Sequence, residues 1–176
     1  MCCGIRCRVY LGIIITEMVV EKIYLENIIS VIIRDAGAED LDAILAVEES
    51  SYVQPWSRNL IEGSLENPKA FHFVACGGTE NNVRGFILNL LLVDELHVLN
   101  IAVDPSFRRS GIGSRLLETS LTSAQKRGAK TAFLEVRRSN IQALTLYIKY
   151  GFKVIGVRRG YYSDNREDAL VMKKSM

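Results

Sequence analysis

A short loop with two arginines and two glycines has the residue types that most clearly indicate chemistry. It reads Arg108-Arg109-Ser110-Gly111-Ile112-Gly113 and lies between an apolar segment with a Pro turn and an amphipathic helix pattern. Gly111 and Gly113 lack a Cβ, so the backbone can turn tightly and approach a ligand closely. The first free N–H groups and the dipole of the following helix favour an anion there. With two guanidinium charges beside it, the loop is predicted to bind a pyrophosphate.

Two common phosphate-binding motifs do not fit this loop. The nucleoside-triphosphate loop needs GxxxxGK followed by Ser or Thr, and the sequence contains no such string. The dinucleotide fingerprint GxGxxG is closer, because Gly111 and Gly113 fit its first two positions and Glu135 follows about twenty residues later. However, Leu116 stands at its third glycine position. In addition, residues 104–110 separate the glycines from the preceding strand, where that fingerprint requires a tight turn.

A third pattern, Arg or Gln, two residues, Gly, one residue, then Gly or Ala, is matched in full. At these residues the chain resembles the GCN5-related N-acetyltransferase (GNAT) family, whose loop of this form binds the pyrophosphate of acetyl-coenzyme A. The Ile-Ala-Val-Asp-Pro string before the loop and the long helix after it agree with that family. The resemblance implies acetyl-coenzyme A as acetyl donor, no metal, and a pyrophosphate loop made of Arg108, Arg109, Ser110, Gly111, Ile112, Gly113 and Ser114.

Later strings resemble one branch of this family, the bacterial ribosomal-protein-alanine N-acetyltransferases of the RimI type. They are Leu134-Glu135-Val136-Arg137 with Ser139-Asn140, and Arg158 to Tyr162 with Arg166-Glu167-Asp168-Ala169. The similarity runs from about Val31 to Lys173. It implies acetylation of the N-terminal alanine of a small-subunit ribosomal protein. Other protein N-termini, small amines, or a non-catalytic coenzyme A sensor remain the alternatives.

Acetyl transfer from a thioester needs a neutral amine and a protonated leaving thiolate. A peptide α-amine has a pKa of about 8 and a thiol about 8.5, so each proton transfer needs only modest help at neutral pH. The resemblance implies Glu135, late in a strand, as general base and Tyr147, on a helix, as general acid. Plainer interpretations remain open for both: Glu135 as a surface glutamate at a strand end, and Tyr147 as part of an apolar core stripe.

The resemblance also implies further contacts to coenzyme A. Ile101, Ala102 and Val103 would offer backbone groups to the acetyl group and pantetheine, and Asn140 would both cap its helix and reach the cofactor. The sequence leaves open whether Trp56 and His97 face substrate. Tyr161 and Tyr162 lie near the final hairpin, where related N-terminal acetyltransferases hold the peptide.

The periodicities that must position these residues alternate between strand and helix. The predicted strands are 30–34, 71–76, 84–93, 96–103, 131–136, 153–157 and 169–173. Helices are predicted from Asp40, with Leu41, Ile44, Leu45, Val47 and Tyr52 on one face; from Ser57 as N-cap to Leu65; over 111–127; and over 140–150. Together they indicate an α/β fold with a mixed, mostly antiparallel sheet and helices on both faces. The resemblance implies the GNAT fold, with a central parallel pair, ending at Val103 and Val136, that splays apart.

Length and composition favour a single domain, and the resemblance implies that residues 30–176 form an acetyltransferase domain. The 176 residues are 48% hydrophobic and 24% charged with a net charge of +2, so the strongly basic surface of a general nucleic-acid binder is missing. Residues 1–29 are interpreted as an extension that is disordered or not native. Its apolar run, Val9 to Ile15, is far shorter than the roughly twenty residues that span a bilayer. We expect a cytoplasmic monomer or weak dimer that binds neither nucleic acid nor membrane.

Overall fold

The computed structural model describes residues 31–77 and 82–176. Within these ranges seven strands form one sheet in the order β1-β2-β3-β4-β5-β7-β6. The strands are β1 Ile32–Asp35, β2 Ala70–Gly77, β3 Asn82–Leu92, β4 Glu95–Val103, β5 Thr131–Arg137, β6 Lys153–Arg158 and β7 Ala169–Ser175. The expectations for residues 1–29, and for residue 30 of the first predicted strand, lie outside the described residues.

Four α-helices connect these strands in the described part of the chain: α1 Leu41–Ser51, α2 Arg58–Leu65, α3 Ile112–Lys126 and α4 Ile141–Lys149. Each follows the predicted pattern to within a few residues. Gly128 and Gly151, just beyond α3 and α4, have left-handed backbones, with φ of +92° and +86°. Glycine tolerates this conformation without a steric cost, which explains why both helices end there.

The predicted parallel pair is present and the strands separate after a short stretch. β4 and β5 pair only from Glu95–Thr131 to Val98–Leu134, whereas the other pairings in the sheet are antiparallel. The register of β3 against β4 shifts at Leu88/Asn89, which marks a bulge where β4 bends. Beyond it, the last residues of β4 have no partner on β5, and a cleft opens within the sheet.

Two apolar clusters cover the two faces of the sheet, as predicted. Alternate residues of β2 divide between them: Phe73 and Ala75 pack with α3 and α4, while Val74 and Cys76 pack with α1 and α2. The inward positions predicted for α3, namely Leu116, Leu117, Leu121 and Ala124, are all buried. No helix among the described residues is both long and apolar enough to cross a membrane.

The helix starts at Asp40 and Ser57 were predicted correctly, although neither side chain makes a capping bond, and the prediction for Tyr52 was wrong. A 3-10 turn over Ala38–Asp40 precedes α1, because the Asp40 carboxylate accepts hydrogen bonds from Arg34 and from the backbone N–H of Gly37. Ser57 occupies the N-cap position of α2, but its side chain makes no capping bond. Tyr52 does not share the buried face of α1, because the backbone becomes extended at this residue and 37% of its surface is exposed.

Candidate active site

The cleft between the separated strands contains a cavity of about 650 Å³. Of the predicted site residues, Ile101, Glu135, Asn140 and Tyr147 line it. Trp56, Tyr161 and Tyr162, whose roles the sequence left open, line it as well. A second, more open groove of about 730 Å³, between β1 and α3, contains none of the predicted site residues. The cleft is therefore where acid–base chemistry can occur.

Glu135 lies on β5 just beyond the last residue pair shared with β4. Its Oε1 lies 3.3 Å from Nη1 of Arg158, and about a third of its side chain is exposed. Strand alternation places its neighbours Leu134 and Val136 in the core, so the carboxylate points away from that core. This position leaves the carboxylate accessible to a group that enters the cavity.

Tyr147 is a buried residue that lines the cavity. Its ring packs at 5.9 Å from that of Phe152, and only 4% of the residue is exposed. Burial raises the pKa of the phenol well above its usual value, and the nearby Tyr162 acts in the same direction. Tyr147 therefore keeps its proton at neutral pH, as a proton donor must.

The arginine–glycine loop continues from the end of β4. Gly111 has φ of +87° at the N-cap of α3, and a Cβ built there would meet nothing within 4 Å. Arg109 also has a positive φ of +65°, and the Arg108 Nε donates to the carbonyl oxygen of Val103 at 3.2 Å. The Ser110 hydroxyl donates to the Phe107 carbonyl at 2.6 Å. The loop is thus held beside β4 with the first N–H groups of a 15-residue helix available.

The remaining predicted cofactor residues have different surroundings. Asn140 caps α4, since its Oδ1 accepts a hydrogen bond from the backbone N–H of Ala143 at 3.1 Å. Ala102 and Ile112 are buried in the core. A Cβ at Gly113 would lie 3.7 Å from side-chain atoms of Val103 and Leu146, in ordinary van der Waals contact. The cavity that contains Glu135 and Tyr147 is not lined by Ala102, Val103 or residues 108–114. The loop and the cavity are therefore separate parts of the site.

Two residues at the end of α1 were not predicted as part of the site. The Tyr52 hydroxyl donates to the carbonyl oxygen of Ile101 at 2.7 Å, and the Ser51 hydroxyl donates to that of Val103 at 3.3 Å. Both acceptors belong to the part of β4 that no longer pairs with β5. Nothing in the sequence around Ser51 and Tyr52 points to this contact, because it depends on how α1 lies across the sheet.

Glu48 is a second carboxylate that the sequence did not reveal. It lines the cavity from α1, although only 1% of its surface is exposed. Its oxygens accept hydrogen bonds from the backbone N–H of Trp56 at 2.8 Å and from Nδ2 of Asn100 at 3.0 Å. Burial raises its pKa, and these two hydrogen bonds oppose that shift. Glu48 therefore ties the turn before α2 to the bent part of β4.

His97 is placed away from this chemistry. Its ring stacks on Phe133 at 5.5 Å, and its Nε2 lies 3.3 Å from a carboxylate oxygen of Glu95. It does not line the cavity. His97 therefore packs against its neighbours and does not face the cavity.

The charges of the two parts of the site have opposite signs. The charged residues that line the cavity are four carboxylates and one guanidinium: Glu48, Glu135, Asp164, Glu167 and Arg137. The loop contributes Arg108 and Arg109 and the positive end of a helix dipole. Such an arrangement attracts a polyanionic group to the loop and a cationic group to the cavity.

Comparison with known proteins agrees with this geometry. Residues 39–152 match the acetyltransferase (GNAT) family. The [ribosomal protein bS18]-alanine N-acetyltransferase of Escherichia coli is 38% identical over 136 residues, which cover 76% of this chain and 89% of that protein. The crystal structure of the ribosomal-protein-S18-alanine N-acetyltransferase from Escherichia coli superposes with a TM-score of 0.77 at 33% identity, covering 82% of this chain and 93% of that one.

A second solved structure shows the same likeness. Ard1 from Thermoplasma volcanium superposes with a TM-score of 0.75 at 27% identity, covering 84% of this chain and 98% of that chain. These similarities agree with the split parallel pair and the arginine–glycine loop. The chain belongs to the acetyltransferase (GNAT) family and is an N-acetyltransferase.

Proposed function

We propose that this enzyme transfers the acetyl group of acetyl-coenzyme A to the N-terminal alanine of ribosomal protein bS18. The observation that carries the proposal is the cleft itself, where Glu135 and Tyr147 line one acidic cavity beside a loop suited to a pyrophosphate. Similarity to the [ribosomal protein bS18]-alanine N-acetyltransferase of Escherichia coli supports the choice of acceptor. A cytoplasmic location and a monomeric or weakly dimeric state stay predictions.

The residues of the loop fit the cofactor. The left-handed backbone at Gly111 and the open space around it leave room for a group that lies close to the main chain. Free N–H groups at the start of α3 and the guanidinium groups of Arg108 and Arg109 would hold its pyrophosphate. The end of β4 that does not pair with β5, residues 101–103, would offer backbone groups to an extended arm, beside the Ile101 and Val103 carbonyls that already accept hydrogen bonds from Tyr52 and Ser51. When bound, acetyl-coenzyme A supplies an activated thioester.

Glu135 and Tyr147 would move the protons of the reaction. Glu135 takes a proton from the acceptor amine as its nitrogen forms the new bond to the acetyl carbon. Tyr147 gives its proton to the sulfur as the carbon–sulfur bond breaks, and its raised pKa keeps that proton in place until then. The proton held by Glu135 passes to solvent, and Tyr147 regains one, so the site returns to its starting state.

The same residues favour an α-amine over a lysine side chain. An N-terminal amine has a pKa near 8, whereas a lysine amine lies near 10.4, so far more of the α-amine is neutral at pH 7. Only a modest proton transfer to Glu135 is then needed. Excess negative charge in the cavity attracts the ammonium form during encounter.

The test uses isotopically labelled acetyl-coenzyme A with a peptide that carries the N-terminal sequence of bS18. The matched control peptide has a blocked terminus and one free lysine. Labelling of the first peptide alone is expected. Equal rates on both peptides would refute the α-amine assignment, and cofactor binding without any transfer would favour the coenzyme A sensor.

A further inference from the structure

Arg137 ends β5, two residues after Glu135, and it contacts several residues of the segment between β6 and β7. Its Nη2 donates to both carboxylate oxygens of Asp164, each at 3.0 Å. Its Nη1 lies 3.3 Å from Oδ1 of Asn165 and 3.4 Å from Oε2 of Glu167. The guanidinium carbon also lies 3.7 Å from the ring centre of Tyr162. One side chain thus holds four residues of this segment.

The segment that Arg137 holds, residues 159–168, is a wall of the cavity. Tyr161, Tyr162, Ser163, Asp164, Asn165 and Glu167 all line it. Internal bonds give the segment a defined turn: Tyr162 N–H donates to the Glu167 carbonyl at 3.1 Å, and Arg166 N–H donates to the Tyr162 carbonyl at 2.9 Å. Arg166 adopts a positive φ of +59°, which a non-glycine residue keeps only when its surroundings enforce it.

A second connection fastens the same wall to the start of α4. Oε1 of Glu167 accepts a hydrogen bond from the backbone N–H of Ser139 at 2.6 Å, and this bond helps to lower the pKa of Glu167. Glu167 therefore touches both Arg137 and the turn that carries Asn140. Arg137 therefore joins the wall to β5, which carries Glu135. Ser139 joins it to the start of α4, which carries Tyr147.

The charge of Arg137 is already matched within this cluster. Asp164 and Glu167 supply two carboxylates, and the side chain of Arg137 is 26% exposed. A guanidinium so engaged is poorly suited to bind an additional anion. Its two Nη atoms reach different partners, Nη2 both oxygens of Asp164 and Nη1 those of Asn165 and Glu167, while its carbon lies over the Tyr162 ring. A lysine has a single nitrogen, so it would retain the charge but could not make these contacts together.

We propose that Arg137 is a positioning residue for the acceptor peptide, fixing the 159–168 wall so that the residues after the acceptor's N-terminus find a preformed surface. This rests on the proposed function, since it assumes a peptide acceptor in the cavity. Arg137 acts through the wall and takes no part in proton transfer. Substitution of Arg137 lowers the affinity for the peptide and changes the affinity for the cofactor little.

The experiment compares Arg137→Lys with the matched control Arg138→Lys, at the exposed adjacent position. Each is assayed with an alanine-starting hexapeptide and with alanine amide, which has no residues beyond the first. For Arg137→Lys we expect KM for the hexapeptide to rise about tenfold, with kcat and KM for acetyl-coenzyme A within about threefold of wild type. The KM for alanine amide should rise much less in Arg137→Lys. Arg138→Lys should have the kinetic constants of the wild type for both acceptors.

Asp164→Asn gives an independent route to the same contact if Arg137→Lys folds poorly. It removes one charge from the Arg137–Asp164 ion pair and leaves Arg137 in place, so the same selective rise in KM is expected. Equal losses on hexapeptide and alanine amide, or an unchanged KM for hexapeptide in folded protein, would overturn the role of Arg137 alone. A wild-type enzyme that fails to acetylate the hexapeptide would overturn the proposed function as well.

Discussion

Replacing Tyr147 with Phe removes one oxygen atom from the cavity and tests the proposed acid directly. The ring keeps its packing beside Phe152, because only the hydroxyl is lost. No hydrogen bond from that hydroxyl to another group is recorded within the described residues, so the deletion leaves no protein partner unsatisfied. We therefore expect the free energy of unfolding to change by less than about 1 kcal/mol.

Turnover should respond very differently from stability. A positioned general acid contributes on the order of a hundredfold to ten-thousandfold in rate, so kcat of Tyr147→Phe should fall by roughly a hundredfold or more. The affinity for acetyl-coenzyme A should stay close to that of wild type. Because burial keeps the phenol protonated at neutral pH, the loss should persist between about pH 6 and pH 9, without recovery in alkali.

The assay is steady-state release of the free thiol with an alanine-starting peptide, together with calorimetric binding of coenzyme A and a denaturant titration of both proteins. Activity within threefold of wild type, in a variant with unchanged unfolding free energy, would refute the acid role. It would then leave Tyr147 as a core residue. A parallel loss of cofactor affinity would instead assign the hydroxyl to cofactor binding.

Three further changes test other parts of the site and the fold. Glu135→Gln should lower kcat roughly a hundredfold, with partial recovery near pH 9 where the α-amine is already neutral; a pH-independent loss would contradict a base. Gly111→Val should weaken coenzyme A binding, measured by calorimetry, because valine resists the φ of +87°, whereas Gly63→Val, where a Cβ meets open space, should not. Burial lowers the pKa of His72, whose Nδ1 accepts a hydrogen bond from the Asn89 N–H. As the pH falls, His72 is therefore protonated in the unfolded chain before it is protonated in the folded protein. Stability should therefore fall as pH drops below about 6.5 in denaturant titrations, and His72→Gln should flatten that slope.

The fold was largely predictable because its elements carry strong local patterns. Alternating strands and the apolar stripe of α3 fixed the sheet and one core layer, and Gly128 and Gly151 marked helix ends. The errors came from tertiary contacts that a local pattern does not contain. Asp40 is the N-cap of α1, but its carboxylate makes no capping bond to α1 because it binds Arg34 on β1.

The candidate site was predictable where a motif is contiguous in sequence. The loop around Gly111 and the strand around Glu135 are such motifs, although their chemical roles stay predictions. Tyr52 and Glu48 were missed because each reaches its partner across about fifty residues of sequence, Ile101 for the first and Asn100 for the second. Their contribution exists only once α1 has packed across the sheet.

The split between β4 and β5 gives the sheet an internal edge in addition to its two outer ones. An unpaired strand edge normally offers itself to any extended chain, which makes it an aggregation hazard. Here the edge lies inside a cleft, and the hydroxyls of Ser51 and Tyr52 occupy carbonyls of β4. Recognition of an extended ligand along this edge would use main-chain groups, and every residue type except proline supplies both an N–H and a C=O. Substitution of residues 101–103 by residues other than proline would therefore leave those groups in place, so discrimination between ligands would depend on the two ends of the cleft.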